Sequence, residues 1–530
     1  MLTWKKGLAA AGLLAAFTAS PALAQKSGGT LRMYFADNPP STSIHEEATT
    51  STVVPFMSLY NNLVVFDSQV AQNSLQSIRP DLATSWKWSA DGKQLTFNLV
   101  DNAKWHDGKP FTAADVKCTF DMVRGKSENK LRRNPRSTWY WNVEDITTNG
   151  DREVTFKLGQ PQPSLLVLLA SGYSPIYPCH VSAAQMRTKP VGTGPFKLVE
   201  FKQKEVVRLA RNPDYFKKGK PYLDAIEIPI VPARGTAILG FVSNKYDMTS
   251  PYAVTIPLLK DVKAQSANAI CETASMNNNT NLILNRDAAP FDKPEIRTAM
   301  LLAIDRKAFI DILNQGQATV GGTMEPLPDG VWGLPKEVFE AIPGYGPDVA
   351  KNRAEGRKIM EKLGYGPNNK LKLKVSTRNH LLYRDPAVIL IDQLKEVYFD
   401  GELELVDTAV WYTKISRKDY AIGLNTTGNG VDDPDQQFFE NFACKSERNY
   451  TGYCNADIEK LFTAQSRETD IEKRKKIVWE IDRRLLEDGA RPPIMWNSAA
   501  SCWHPYVKGF KPQVNSLYNN SRFEDVWLDK

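Results

Sequence analysis

Apolar residues alternate with polar ones in two segments near the start of the chain, at Leu95, Phe97 and Leu99 and again at Val154, Phe156 and Leu158. This period of two predicts half-buried strands. Between these segments apolar residues recur at helical spacing, at Val116, Phe120 and Val123. Thr112 precedes this helix and Asp115 follows three residues later, which is the pattern of a capping box. Together these elements predict a small α+β domain.

A different pattern, in which strands and helices alternate, runs through the second half of the chain. Strands are predicted at 371–375 and 403–406, and a helix is predicted between them at 386–397. Helices with one apolar face are predicted on either side, at Ile296, Ala299, Met300 and Ala303 and at Ile477, Ile481 and Leu485. The β-α-β order indicates an α/β lobe.

The stretch from 190 to 224 lies between these two parts of the chain. Gly192 and Gly194 stand in a turn bounded by prolines, where glycine can adopt a positive φ at little cost. Two strand-like runs follow, at 196–201 and 205–210. A polar Lys-Gln-Lys turn separates them, so this segment is predicted to form a hairpin.

Several motifs follow one another along the chain in a recognisable order. They are RPDLATSW at 79–86, WHDGKP at 105–110, GTGPFKL, RNPDYF and GKPYLD within 190–224, PFD at 290–292 and AIDR at 303–306. Each is weak alone, but their order and extent closely resemble the family 5 solute-binding proteins of ABC importers. That family includes periplasmic receptors for dipeptides, oligopeptides and nickel.

The resemblance implies an α/β fold, namely a two-lobed periplasmic binding protein (type II-like) with an additional small α+β domain. The implied segments are a signal peptide at 1–24, the first lobe at 25–56, 191–276 and 498–530, the additional domain at 57–190 and the second lobe at 277–497. Two chain segments would then cross between the lobes, near 274–281 and 495–501.

The N-terminus and the composition both favour export to the periplasm. A basic pair at 5–6, an apolar run at 8–17 and Ala-Leu-Ala at 22–24 form the pattern of a signal peptide cleaved after Ala24. The alternative is an uncleaved anchor, but the apolar run is shorter than the roughly 20 residues that a membrane span needs. The net charge of +7 is scattered along the sequence, which argues against a nucleic-acid partner. We expect a monomer.

Six cysteines in an exported chain suit disulfide bonds. Cys444 and Cys454 are close in sequence, which favours that pair. Cys118 and Cys179 both fall in the predicted additional domain. Cys271 and Cys502 remain. Buried free thiols are the alternative to disulfide bonds, and this alternative is more plausible for these last two cysteines than for the other four.

Sequence motifs of catalysis and of metal binding are absent. The five histidines include no pair at the i, i+4 spacing of a helical metal site, and neither H-E-x-x-H nor G-x-S-x-G occurs. No cofactor and no metal is therefore expected. A secreted hydrolase stays open as an alternative class, and it would need a nucleophile and a base that converge in the cleft.

Arg378 is the first candidate for ligand binding. It follows a predicted strand, where α/β lobes present their ligand-contacting loops, and a guanidinium there can hold a carboxylate or phosphate by two hydrogen bonds. Dipeptide-binding members of the family have an arginine at this position that binds the ligand carboxylate. The resemblance therefore implies the same role for Arg378. The alternative is a surface salt bridge.

The chain departs from those relatives at a second position. They carry an aspartate four residues before the proline of a D-x-x-D-P segment, where it pairs with the peptide ammonium group. Here Gly430 occupies that position before Pro434. Either Asp432 or Asp433 substitutes for it through a shifted loop, or the site lacks its ammonium partner.

Further candidates come from aromatic side chains and from the resemblance. Aromatic residues with a polar group can stack on a ligand, and the candidates are Trp411, Tyr412, Trp496 and Trp503. For each of them a place in the core is the equal alternative. The loop of Asn38 faces the ligand cleft in the family. Trp139 belongs to a Trp-Tyr-Trp cluster that could reach the cleft, although a packed core cluster is the alternative.

The resemblance thus implies the periplasmic substrate-binding subunit of an ABC importer, which captures a peptide or peptide-like solute and delivers it to an inner-membrane permease with its ATPase subunits. The alternative ligand is a non-peptide solute, such as an opine, a sugar, an amino-acid conjugate or a metal chelate.

Overall fold

A computed structural model of the chain describes residues 25–516, 519 and 521–530. The predicted signal peptide at 1–24 lies outside these described residues. Within them, none of the helices combines the length and the apolar character that a membrane span requires.

Strands and helices are distributed over the whole described chain. The strands are β1 Thr30–Arg32, β2 Val64–Phe66, β3 Ile78–Pro80, β4 Ala83–Trp88, β5 Gln94–Leu99, β6 Val143–Asn149, β7 Glu153–Leu158, β8 Phe196–Lys202, β9 Val206–Arg211, β10 Ala225–Pro229, β11 Ile270–Leu284, β12 Leu371–Arg378, β13 Phe399–Val406, β14 Ile422–Gly428, β15 Pro493–Trp503, β16 Val507–Lys508 and β17 Trp527–Leu528. The helices are α1 Thr50–Phe56, α2 Ala113–Val123, α3 Leu165–Ala170, α4 Ala183–Met186, α5 Arg234–Val242, α6 Ile256–Gln265, α7 Pro294–Ala303, α8 Arg306–Asn314, α9 Lys336–Glu340, α10 Val349–Lys362, α11 Leu381–Lys395, α12 Thr408–Ser416, α13 Pro434–Asn441, α14 Ala456–Arg467 and α15 Ile471–Glu487.

The small α+β region is built as the alternating pattern predicts. Its four strands form an antiparallel sheet in the order β4-β5-β7-β6, and the inward residues Phe97 and Phe156 are fully buried. Helix α2 packs against β6 and β7, and Thr112 with Asp115 forms the predicted capping box. The apolar core of this sheet is continuous with that of the first lobe.

The hairpin predicted after residue 195 is confirmed, and it belongs to a sheet in the order β1-β10-β9-β8. The expected reason for Gly192 and Gly194 is wrong, because neither residue adopts a positive φ. Both are needed for close packing instead. A Cβ on Gly192 would lie 1.8 Å from the carbonyl oxygen of Leu59, and one on Gly194 would lie 2.3 Å from its carbonyl carbon.

The second lobe contains a five-stranded sheet in the order β13-β12-β14-β11-β15. Strands β13, β12 and β14 are parallel, and β11 runs antiparallel to both of its neighbours, β14 and β15. Apolar residues of α7 and α11 cover one face of the sheet. On the other face, Trp411 and Ile415 of α12 pack against Ile283 of β11. Because helices cover both faces, the central strands are buried, as parallel strands usually are.

Strands β11 and β15 carry the chain through both halves of the molecule. Near the first lobe Cys271 pairs with Cys502, and the register shifts between Ser275 and Asn279. At that shift Asn277 adopts a positive φ of 42°. A second shift follows between Thr280 and Asn281, so the pairing of the two strands is irregular from Ser275 to Asn281. The domain boundaries stay predictions.

All six cysteines form disulfide bonds, in the pairs Cys118–Cys179, Cys271–Cys502 and Cys444–Cys454. The pairing of Cys444 with Cys454 is confirmed. The alternative of free thiols at Cys271 and Cys502 is wrong. Adjacent pairing of β11 and β15 brings their Cα atoms within 4.1 Å, which no local spacing in the sequence indicates.

The disulfide pattern is directly testable. Alkylation of the exported protein under denaturing, non-reducing conditions should modify no cysteine, because every thiol is already paired. Peptide mapping should then recover three crosslinked peptide pairs. Recovery of alkylated Cys271 and Cys502 would contradict the pairing of the two connecting strands.

Candidate functional site

The candidate site lies where the second-lobe sheet meets the first lobe. Strands β12 and β14 are parallel, so their carboxyl ends lie at one edge of the sheet. Arg378 ends β12, and Gly428 ends β14. In open α/β sheets this edge is where ligands bind.

Arg378 is only 2% exposed, and all three of its guanidinium nitrogens donate hydrogen bonds. Nε donates to the hydroxyl of Thr408 at 3.1 Å, and Nη1 donates to the hydroxyl of Tyr383 at 2.6 Å. Nη2 forms an ion pair with Asp37 of the first lobe. Asp37 also accepts a hydrogen bond from Ser51 at 2.6 Å. Arg378 thus forms a salt bridge that joins the two lobes, in which Arg378 is buried and Asp37 is half-buried.

Both members of this pair are charged at neutral pH. Burial acts to raise the pKa of Asp37, but Arg378 and the Ser51 hydroxyl outweigh it, so the pKa lies below its usual value. Burial acts to lower the pKa of Arg378, and the neighbouring Tyr383 and Asp37 raise it instead. A cavity of about 120 Å³ opens beside the pair, and it is lined by residues of both lobes, among them Tyr34 and His380.

A second group of charged side chains lies at the same boundary. Glu440 of α13 forms an ion pair with Arg448 and accepts a hydrogen bond from the indole of Trp139 at 2.7 Å. Arg491 donates to the side chains of Asn281 at 3.1 Å and Asn441 at 2.8 Å. Trp139, predicted as a site residue, thus reaches the second lobe from the small α+β region.

Arg136 completes this group from the side of the small α+β region. Its Nη2 donates to the backbone carbonyls of Ile44, His45 and Glu47, at 2.7 Å for the last. Its guanidinium stacks on the ring of Tyr173, with 4.1 Å between Cζ and the ring centroid. We call Arg136, Glu440, Arg448 and Arg491 the arginine cluster.

The backbone amide and carbonyl of Gly430 both form hydrogen bonds with side chains. Its amide donates to the side chain of Gln436 at 3.1 Å, and its carbonyl accepts from Ser516 at 3.0 Å and Asn519 at 3.4 Å. Ser516 and Asn519 belong to the C-terminal part of the chain, so this loop also joins the two halves of the molecule.

Asp433 has a structural partner. It caps α13 and forms an ion pair with Arg474, with 2.8 Å between Oδ1 and Nη2. Asp432 accepts from the amide of Val331 at 2.9 Å and lies near Glu325. A role of Asp432 or Asp433 as an ammonium anchor stays a prediction.

The other predicted ligand-binding residues are four aromatic residues and Asn38, and they lie in different parts of the molecule. The ring of Tyr412 lies 5.9 Å from the Arg378 guanidinium, and Trp411 is fully buried in the core beside it. Trp496 donates to the carbonyl of Gly322 at 3.1 Å, and Trp503 packs against Phe510 in the first lobe. Asn38 accepts from the amide of Lys204 at 2.7 Å. Contact of any of them with a ligand stays a prediction.

Sequence reasoning missed Asp37, Arg136, Glu440, Arg448 and Arg491. Asp37 directly precedes Asn38, so the sequence indicated the correct loop but the wrong residue within it as the candidate for ligand binding. The other four belong to no motif, and Arg136 is about 300 residues from the nearest of the other three. Among the described residues, no group of three or more histidine, cysteine or acidic side chains is placed to hold a metal ion.

Asp432 makes a pH-dependent contribution to stability. Burial, and then the charge of Asp433, raise its pKa from 3.8 to about 7. The folded state therefore binds more protons than the unfolded state between these values, and stability falls as the pH rises from about 4 to about 7. We expect Asp432→Asn to stabilise the protein by roughly 1–2 kcal/mol at pH 8, after a discount for partial exposure, and by much less at pH 4.

Thermal unfolding of both proteins at the two pH values measures this difference. Asp457→Asn is the matched control, because Asp457 is exposed and Lys460 lowers its pKa. An Asp432→Asn effect that is equal at pH 4 and pH 8 would contradict the raised pKa.

Comparison with known proteins identifies the family of this chain. Residues 77–449 match the middle region of the bacterial extracellular solute-binding proteins, family 5. The chain is 25% identical to the probable D,D-dipeptide-binding periplasmic protein DdpA of Escherichia coli, over 87% of each chain. It is 24% identical to the oligopeptide-binding protein AppA of Bacillus subtilis, over 92% of this chain and 89% of the relative.

Two solved structures have the same fold. The periplasmic binding protein DppA of Helicobacter pylori, in complex with the peptide STSA, superposes with a TM-score of 0.81 at 20% identity and covers 95% of this chain and 99% of its own. The protein AgaA of Agrobacterium tumefaciens, in complex with agropinic acid, gives 0.81 at 22% identity with the same coverage. The predicted two-lobed fold and the predicted family are confirmed: the chain belongs to the bacterial extracellular solute-binding proteins of family 5.

Proposed function

We propose that this protein is the periplasmic substrate-binding subunit of an ABC importer. It captures a peptide or peptide-like solute between its lobes and delivers it to a membrane permease with its ATPase subunits. Family membership supports the transport role, and the peptide-binding relatives support the ligand class. The observation that carries the proposal is the buried ion pair of Arg378 and Asp37, which come from different lobes.

This ion pair supplies the two charges that a free peptide requires. A ligand carboxylate replaces Asp37 at the guanidinium of Arg378, and the ligand ammonium group takes the carboxylate of Asp37. In this way Asp37 supplies an anion in a site where Gly430 supplies none. A ligand that contacts both lobes binds the closed arrangement more tightly than the open one, and so it favours closure.

The glycine at position 430 also favours a second ligand class. A solute without a free ammonium group, such as an opine, does not need the missing carboxylate. The fold shared with AgaA, which was solved with agropinic acid, fits that reading. We propose binding without catalysis in either case, since the matching family is defined by solute binding.

Mass spectrometry of solute released from the purified protein separates these classes. A peptide with a free N-terminus supports the first, and a conjugate without a free amine supports the second. Conversion of the bound solute during incubation would contradict a role without catalysis. A protein that carries no solute and binds neither dipeptides nor opines in calorimetry would contradict the transport role.

The Arg378→Ala substitution tests whether the Arg378 guanidinium binds the ligand carboxylate. Loss of a charge-assisted hydrogen bond in a buried site costs on the order of 1.5–3 kcal/mol, so the affinity for the released solute should fall about tenfold to a hundredfold. The variant should also be less stable without solute, because Asp37 loses its counter-charge.

Arg417→Ala is the control, because Arg417 is an exposed arginine at the end of α12. Calorimetric titration of wild type and both variants measures the affinities, and thermal unfolding measures the stabilities. Equal affinity in wild type and Arg378→Ala would show that the ligand does not use this guanidinium.

A further inference from the structure

The arginine cluster contains more positive than negative charge. Arg136, Arg448 and Arg491 are 1%, 3% and 4% exposed, and Glu440 is fully buried. The only ion pair among them is that of Arg448 with Glu440. Within the described part of the chain, no carboxylate lies within 4 Å of Arg136 or Arg491. The cluster therefore contains three buried guanidinium groups and one carboxylate, so two of its positive charges have no negative charge beside them.

Contacts link these side chains into one group across the boundary. The Arg491 guanidinium reaches the backbone carbonyl of Arg448 at 3.5 Å. Glu440 binds the indole of Trp139, which packs against Tyr173 with 6.3 Å between the ring centroids. Arg136 stacks on that same tyrosine ring. The excess charge therefore lies at one place, where the small α+β region meets the second lobe.

Several donors of the cluster have no acceptor among the described residues. They are Nε and Nη1 of Arg136, Nε of Arg448 and Nη2 of Arg491. A buried N–H group without an acceptor is costly, and an unbalanced buried charge is more so. Burial, and then the charge of Arg448, lower the pKa of Arg491 to about 10, which is the response of a cation without a counter-charge.

Arg306 is a buried arginine with a structural role and serves as a comparison for the cluster. Arg306 donates to the carbonyls of Pro493 at 3.1 Å and Gly344 at 2.6 Å, and it stacks on Tyr345. It also lacks a carboxylate and has one unpaired nitrogen, Nη2. It does not belong to a group of like charges, so it causes no comparable charge excess. The arginine cluster differs in its number of guanidiniums and in its place between the two halves of the molecule.

We propose that the arginine cluster is a subsite for a ligand portion that carries two negative charges, namely two carboxylates of an acidic peptide or amino-acid conjugate. This proposal rests on the proposed function and names its substrate class. Two carboxylates balance the excess charge of the cluster, and their oxygens can accept hydrogen bonds from the guanidinium nitrogens that lack an acceptor. Arg378 does not account for this preference, because in the proposed function it binds the C-terminal carboxylate that every free peptide carries.

A phosphate monoester offers similar charge and acceptors, so the test has to separate it from dicarboxylates. Calorimetry on the mature protein, freed of co-purified solute, compares the dipeptides Glu-Glu and Gln-Gln, which match in shape and differ in charge. Phosphoserine and inorganic phosphate are the further probes. We expect Glu-Glu to bind at least about tenfold more tightly than Gln-Gln and more tightly than either phosphate probe.

Variants assign the preference to the cluster. Arg491→Gln and Arg136→Gln should each lower the ratio of Glu-Glu affinity to Gln-Gln affinity about tenfold. Arg306→Gln, the matched buried control, should leave the ratio unchanged. Thermal unfolding without solute gives a second readout. Because Arg491→Gln relieves charge repulsion, it should lower the melting temperature less than Arg306→Gln does.

Each contrary result has a distinct meaning. Equal affinity of Glu-Glu and Gln-Gln in wild type would overturn the dianion subsite while leaving the transport role intact. Tighter binding of phosphoserine or phosphate than of Glu-Glu would overturn the dicarboxylate assignment. Failure of every peptide and conjugate to bind, with no solute released on denaturation, would overturn the proposed function itself.

Discussion

The ion pair between Arg378 and Asp37 joins the two lobes, because the buried Arg378 and the half-buried Asp37 come from different lobes. Moving an ion out of water costs several kcal/mol, and only a close counter-charge with further hydrogen bonds repays this cost. Thr408, Tyr383 and Ser51 supply those hydrogen bonds. Opening of the lobes returns both ions to water, so the pair can be broken and remade. A ligand with its own charges can take the place of either partner.

The connecting strands determine where such a motion can occur. The disulfide between Cys271 and Cys502 fixes β11 to β15 on the side of the first lobe. The register shift begins only after Ser275, and Asn277 adopts its positive φ there. We infer that bending is concentrated at this shift. The arginine cluster and the Gly430 loop lie on the boundary that such bending would open.

The sequence predicts the local elements well because their signals are local. The alternation at Leu95, Phe97 and Leu99 and the capping box at Thr112 need only a few neighbouring residues to act, and both were confirmed. Long-range chemistry was harder to predict. Cys271 and Cys502 are 231 residues apart, and Arg136 lies more than 300 residues from the glutamate with which it shares a cluster. Arg378 could be found because a strand precedes it, whereas no nearby residue marks Arg491 as buried.

We propose that the charges of Arg378 and Asp37 hold the two lobes together until the charges of a ligand replace them. Small-angle X-ray scattering on solute-free wild type and on the Asp37→Asn variant tests it most directly. The account predicts a larger radius of gyration for the variant without solute, and a return toward the wild-type value when the released native solute is added. An identical radius of gyration for both proteins, with and without solute, would contradict it.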